Sequence, residues 1–103
     1  MAKRKIEWLD EARVDLKDIL DFYIERNGSP VYSKKLNVEF NKSIQLIAKN
    51  PLIGTQTDFT NVRSHITEDY QIIYEIFDPV ILILKIWDCR RNPDDKRIGQ
   101  RIK

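Results

Sequence analysis

Apolar residues recur along this chain in two rhythms, and the change of rhythm marks its elements. Lys5-Ile6-Glu7-Trp8-Leu9 alternates, which predicts a short first strand with Ile6 and Trp8 on one face. Asp10 then reads as a helix N-cap, with Glu11 as a second acid in the first turn. Ala12, Leu16, Ile19, Leu20 and Tyr23 return at spacings of three and four, an apolar helical stripe running to about Arg26. Asn27-Gly28 ends it, because both residues tolerate left-handed backbone. Ser29-Pro30 restarts helix, with Ser as cap and Pro at the first helical position. Tyr32, Leu36, Phe40, Ile44 and Ile47 form the second stripe, and Asn50-Pro51 stops it. So short a connection requires an antiparallel helical hairpin.

The second half changes period. Leu52 to Asn61 has none and reads as a loop, and Val62-Arg63-Ser64-His65-Ile66 alternates as a strand. Thr67-Glu68-Asp69 turns the chain into Tyr70–Phe77, and Asp78-Pro79 separates that run from Val80–Trp87. Two β-branched and aromatic runs split by a turn-forming dipeptide predict a β-hairpin. The later run is apolar at nearly every position, so both of its faces are expected to be covered, as in a central strand. After Pro93, Asp94 and Asp95 are placed to cap a last short helix ending at Lys103. The expected order is β-α-α-β-β-β, an α+β fold with a helical hairpin on a mostly antiparallel sheet. No repeat, low-complexity tract or linker divides residues 1–103, so one domain is expected.

Composition narrows the class. A chain of 103 residues that is 42% apolar can build one modest core, burying about 65% of its unfolded surface. Its two tryptophans, four tyrosines and four phenylalanines argue against disorder. The single Cys89 cannot form an internal disulfide, nothing at the start resembles a signal peptide, and no run approaches the ~20 apolar residues of a spanning helix. A soluble protein of a reducing compartment, the cytoplasm, is expected. Net charge is only +2, but residues 85–103 carry seven Lys or Arg against three Asp. That end-loaded charge suits either a surface meeting phosphates or an acidic protein, or a solubilising tail.

Few chemistries fit. One His and one Cys offer no metal-ligand spacing, so neither a metal nor a cofactor is expected. Cys89 as a nucleophile would need His65, the only histidine, as its base, and a structural role is the simpler expectation. Gly28, Gly54 and Gly99 are isolated and make no phosphate loop. The acids of the first helix, Asp10, Glu11, Asp15, Asp18, Asp21 and Glu25, read as a solvated face. What remains is arginine: Arg63 on one strand, Arg90 and Arg91 where another emerges, and Lys96 and Arg97 beyond. The sheet is expected to bring Arg63 near Arg90 or Arg91, a pairing of guanidiniums suited to phosphate. The plainer alternative pairs Arg63 with a carboxylate such as Glu75. Asn92-Pro93 is expected to hold Arg91 on an exposed turn.

The series Trp8, Ala12, Asp15-Leu16, Ile19, Tyr23, then Asn50-Pro51, Gly54, Val62-Arg63, Tyr70, Ile73-Tyr74-Glu75-Ile76 and Asp88-Cys89-Arg90-Arg91-Asn92-Pro93 resembles the RelE/ParE toxins of bacterial type II toxin–antitoxin (plasmid stabilisation) systems. The resemblance covers nearly the whole chain. It implies an antitoxin partner whose extended segment wraps the toxin, as a hetero-oligomer or with a toxin homodimer. RelE-like members cut mRNA on the ribosome without a metal, and by that resemblance Arg63 and Arg91 match catalytic arginines. Such sites usually add a Tyr or His near the C-terminus, and none follows Tyr74 here; a missing acid or base forfeits a factor of about 10²–10⁴. ParE-like members bind and poison DNA gyrase, and the Arg90-Arg91-Asn92-Pro93 ending resembles that branch more. On that reading Arg90, Arg91, Lys96 and Arg97 contact the target. The RelE-like endoribonuclease is the alternative, and a degenerate toxin kept as a binding module is a third.

Overall fold

The computed structural model describes residues 3–90. Strand β1 (Lys5–Trp8) leads into helix α1 (Asp10–Asn27) and helix α2 (Val31–Lys49). A 3-10 turn (Pro51–Ile53), the short strand β2 (Thr55–Gln56), β3 (Val62–Thr67), β4 (Tyr70–Phe77) and β5 (Val80–Asp88) follow. The sheet order is β1-β5-β4-β3-β2, with β1 parallel to β5 and every other pair antiparallel. This is the expected helical hairpin on a mostly antiparallel sheet. The expected helix after Pro93 lies outside the described residues.

Each helix end follows from local chemistry. Gly28 adopts left-handed backbone (φ 66°) and donates its N–H to Ile24 O at 2.9 Å, closing α1. Two cap assignments shift by one residue. Leu9, in extended conformation, precedes α1, and Asp10 is its first residue with no side-chain cap bond. Pro30 precedes α2, and the Ser29 hydroxyl oxygen accepts the Val31 N–H at 3.3 Å. The stripe of α2 also begins differently: Tyr32 is 38% exposed, and Ser33 is buried instead. Its hydroxyl donates to Leu20 O at 2.6 Å, which satisfies it between the helices.

The expected loop 52–61 contains β2, whose Thr55 and Gln56 pair with Ser64 and Arg63. Two residues cannot display a period, so pairing alone defines this strand. Strand β3 runs one residue further than its alternation suggests, because Thr67 is buried and its hydroxyl meets that of Ser43 on α2.

Two apolar clusters sandwich the sheet. On the helix side, Ala12, Tyr23, Leu36, Phe40, Ile44 and Ile47 meet Tyr70, Ile72, Tyr74, Ile81, Ile83 and Ile86. On the other side, Val62, Ile73, Leu84 and Trp87 bury together, with Leu9, Phe59 and Leu82 against them. Strand β5 thus contributes to both clusters, as its continuous apolar run predicts. It also changes phase: Ile73 pairs with Lys85 but Tyr74 with Ile83, leaving Leu84 as an extra residue. Ile81 and Ile83 face the helices before this bulge and Ile86 after it.

The bulge is where α1 is fixed. Asp15 does not belong to a solvated face. Its carboxylate accepts from Lys85 Nζ at 3.2 and 3.3 Å and from the Ile86 N–H at 3.2 Å. The side chains are only 9% (Lys85) and 19% (Asp15) exposed, so the ammonium is nearly out of water and depends on its partner. Removing one member of a buried pair strands the other charge. Asp15→Ala is therefore expected to lower the unfolding free energy by roughly 2–4 kcal/mol, measured by urea denaturation. The double replacement Asp15→Leu with Lys85→Met should recover most of that loss. A change in Asp15→Ala below about 0.5 kcal/mol, the level of a surface carboxylate, would contradict this assignment.

Candidate functional site

Arg63 and Arg90 are not neighbours. Arg63 lies opposite Tyr74 and Gln56, near the start of β3. Arg90 follows the other end of the sheet, where Tyr70 pairs with both Thr67 and Asp88. Four residues of β3 separate the two rows, about 13 Å at strand rise. The expected juxtaposition of Arg63 with Arg90 is therefore not formed. Arg91, Lys96 and Arg97 lie outside the described residues.

Arg63 does not use Glu75 either. Its Nη1 donates to Gly54 O at 2.7 Å and to Leu52 O at 3.4 Å. The neighbouring Tyr74 hydroxyl donates to Pro51 O at 2.5 Å and accepts the Gly54 N–H at 3.0 Å. The two side chains staple the Pro51–Gly54 segment onto the sheet. Burial pushes the Tyr74 phenol up from its ordinary value, so it stays a donor. Gly54 is required by close approach: a Cβ there would sit 2.4 Å from the Tyr74 hydroxyl oxygen and 2.9 Å from Ser64 O.

His65 follows on the same side of β3 as Arg63, since alternate residues share a face. Desolvation holds its imidazole below its ordinary value, favouring the neutral ring. Across the sheet edge, Ile53, Thr55, Ser64, His65, Ile66 and Gln71 line an open groove.

At the other end, Arg90 is engaged within the chain through Nε and Nη2, with its side chain half exposed. Its Nε and Nη2 each donate to Asp88 carboxylate oxygens at 2.9 Å, a forked pairing. Nη2 also reaches the hydroxyls of Tyr23 at 3.3 Å and Tyr70 at 3.4 Å, which lie 3.2 Å apart. The hydrogen bond to Asp88 raises the guanidinium pKa, and burial together with Tyr23 raises that of Tyr70. Tyr23 is shifted down, first by its bond to Tyr70. This cluster ties the end of α1 to the ends of β4 and β5. Sequence reading missed it: Tyr23 signals only a last stripe position, and nothing local pairs it with Tyr70. The spacing of Asp88 and Arg90, two residues apart, was the one available sign. Cys89 is exposed, and its N–H donates to Asp69 O at 2.8 Å.

Among the described residues no three His, Cys, Asp or Glu side chains converge as a metal site would require. No described helix is long and apolar enough to cross a membrane.

Two measurements check these assignments. Gly54→Ala should cost roughly 1–3 kcal/mol of stability through overpacking against Tyr74; a neutral effect in thermal or urea unfolding would contradict the close approach. For His65, the depressed value means that protonation favours the unfolded chain. Its contribution is complete above an ordinary pKa near 6.5 and is lost as pH falls from there toward the folded value. A stability-versus-pH curve for His65→Gln should lack that acid-side loss, and superimposable curves would refute it.

Comparison with known proteins places this geometry. A family model described as the ParE toxin of the type II toxin–antitoxin system, parDE, matches residues 6–93. Among solved structures, the chromosomal ParDE toxin–antitoxin system of P. aeruginosa aligns with TM-score 0.70 at 20% identity, covering 84% of this chain and 96% of that one. The RelBE2 toxin–antitoxin complex of Mycobacterium tuberculosis aligns at 0.60 and 20% identity, covering 84% and 99%. The isolated E. coli RelE toxin aligns at 0.62 and 12% identity, covering 99% and 100%. At these identities the likeness to solved structures is one of fold. No curated protein matches the chain.

Proposed function

The chain belongs to the ParE toxin family of type II toxin–antitoxin systems, and we propose that it arrests growth by binding DNA gyrase until a cognate antitoxin neutralises it. It acts as a single toxin domain in the cytoplasm and associates with its antitoxin as a hetero-oligomer. The observation that carries this reading is the engagement of Arg90. Its guanidinium is committed to Asp88, Tyr23 and Tyr70. A group that stabilises charge on a reacting phosphate works best with its charge unspent; this one is half exposed, but Asp88 already offsets its charge and it braces the end of β5. Tyr23 and Tyr70, the nearest phenols, are 8% and 3% exposed and are withdrawn from solvent, whereas the Arg90 side chain is half exposed. On this reading Arg91, Lys96 and Arg97 contact the target, and Arg90 fixes where their segment begins.

A second reading, a metal-independent ribosome-dependent mRNA endonuclease, draws on Arg63 and His65. One guanidinium nitrogen of Arg63 holds backbone carbonyls, and no hydrogen bond occupies its Nη2 among the described residues. A neutral imidazole on the same side could accept a proton from a 2′-hydroxyl. Arg63 with Arg91 would then stabilise the charge, with no cofactor.

The two readings separate in cells. Inducing the chain without antitoxin is expected to stall replication and raise a DNA damage response while protein synthesis continues. The triple variant Arg91→Ala, Lys96→Ala, Arg97→Ala should relieve growth arrest, and His65→Ala should not. An immediate collapse of protein synthesis, abolished by Arg63→Ala or His65→Ala in variants that still bind antitoxin, would overturn gyrase binding in favour of the nuclease.

A further inference from the structure

The outer faces of α1 and α2 carry opposite charge in a matched order. Opposite its buried stripe, α1 presents Glu11, Val14, Asp18, Phe22 and Glu25 at steps of three and four, an alternation of acidic and apolar side chains. All five are exposed, Val14 at 53% and Phe22 at 54%. At about 100° per residue they span an arc of about 80°, and no basic residue of the helix shares it. Helix α2 presents Lys35, Val38, Lys42, Leu46 and Lys49, again at steps of three and four and again opposite the buried stripe. These are exposed too, Val38 at 50% and Leu46 at 44%. No acid of α2 shares their arc, which is also about 80° wide. Within one chain the rows do not join. Lys42 reaches Glu39 on its own helix at 3.6 Å, and no ion pair links Asp18 or Glu25 to α2 among the described residues.

We propose that this face docks on the same face of a second copy of the chain, as a two-fold dimer in which α1 of each copy lies antiparallel on α2 of the other. The helical turn-around at Gly28 sets Glu25 level with Lys35 and Phe22 level with Val38, since each step back along α1 matches one step forward along α2. By the same count Asp18 is level with Lys42, Val14 with Leu46 and Glu11 with Lys49. A two-fold axis parallel to the helices keeps those heights, so each acid meets a lysine of the other copy and each apolar side chain meets an apolar one. Charge pairs flanking apolar contacts fix the register as well as attracting the partner. Each helix is about 27 Å long and about 10 Å wide, so the two hairpins bury on the order of 1,000 Å², near the lower limit of a specific interface. The dimer is therefore a reversible one. Other occupants match only half of the face: a nucleic acid would meet the lysines but be repelled by the acids of α1, and an acidic peptide would leave α1 uncovered. A head-to-tail contact between copies pairs one stripe per chain and does not close. The dimer is independent of which target the toxin engages.

The test is sedimentation of the purified chain, free of antitoxin, across a range of concentrations. In low salt it should pass from monomer to dimer, and no further, at concentrations on the order of 10–100 μM, and dissociate as salt is raised. Asp18→Lys with Glu25→Lys makes both stripes basic, and Lys35→Glu with Lys42→Glu makes both acidic. Each variant should keep a cooperative thermal transition and lose self-association at least about tenfold. Mixed in equal amounts, the two should associate as a heterodimer, because every stripe again meets its opposite. Phe22→Ser, which leaves the charge unchanged, should weaken the parent dimer at least about tenfold. A parent chain that stays monomeric in low salt, a dimer unmoved by both charge variants, or folded variants that fail to associate when mixed would each overturn the proposal. So would unchanged affinity in Phe22→Ser, which reduces the contact to general charge attraction, or assembly that grows past two chains.

Discussion

Strand β5 buries side chains on both faces of the sheet, and the contact of Lys85 and Ile86 with Asp15 lets it change phase midway. A strand keeps one parity unless a residue is inserted. With Leu84 inserted, Ile86 returns to the helix side and Trp87 to the other, so both clusters continue to the strand's end. An interrupted ladder beside a lysine would be costly in an apolar layer. The carboxylate of Asp15 answers both the ammonium and a backbone amide, and in doing so fixes α1 over β5. Tyr23, two turns further along α1, is thereby set over Tyr70. Arg90 closes the arrangement by reaching both phenols.

The two candidate arginines among the described residues, Arg63 and Arg90, consequently have different standing. Arg90 is held from several directions and defines where β5 gives way to the basic terminal sequence. Arg63 is held on one side only, by the carbonyls of the segment it staples, and it shares its face with a neutral histidine. A fold that braces one arginine and half-frees another can serve a binding inhibitor or, with different partners at the site, a nuclease. The family likeness alone does not choose between them, because a fold does not carry a reaction. Engagement of the guanidinium by its own chain is what favours binding.

Much of this architecture was legible in the residues, for reasons of period. Both helices carry long stripes, Gly28 and Asn50-Pro51 punctuate them, and Asp78-Pro79 separates two unmistakable strands. The double-sided burial of β5 follows from its composition. What could not be read depended on contacts distant in sequence. Asp15 resembles its acidic neighbours on α1 until the bulge of β5 arrives beside it, 70 residues later. Strand β2 exists only through pairing with β3. Arg63 suggested a carboxylate partner, whereas the strand register offers it the carbonyls of a loop. The juxtaposition of Arg63 with Arg90 failed because register, not strand adjacency, decides which residues along two strands share a row.

The most direct test of gyrase as the target is made with purified components. Supercoiling by DNA gyrase, assayed with increasing amounts of this chain free of antitoxin, should be inhibited, with cleaved DNA trapped on the enzyme and activity restored by adding antitoxin. Unimpaired supercoiling at toxin excess, together with cutting of mRNA on programmed ribosomes by the same preparation, would contradict it.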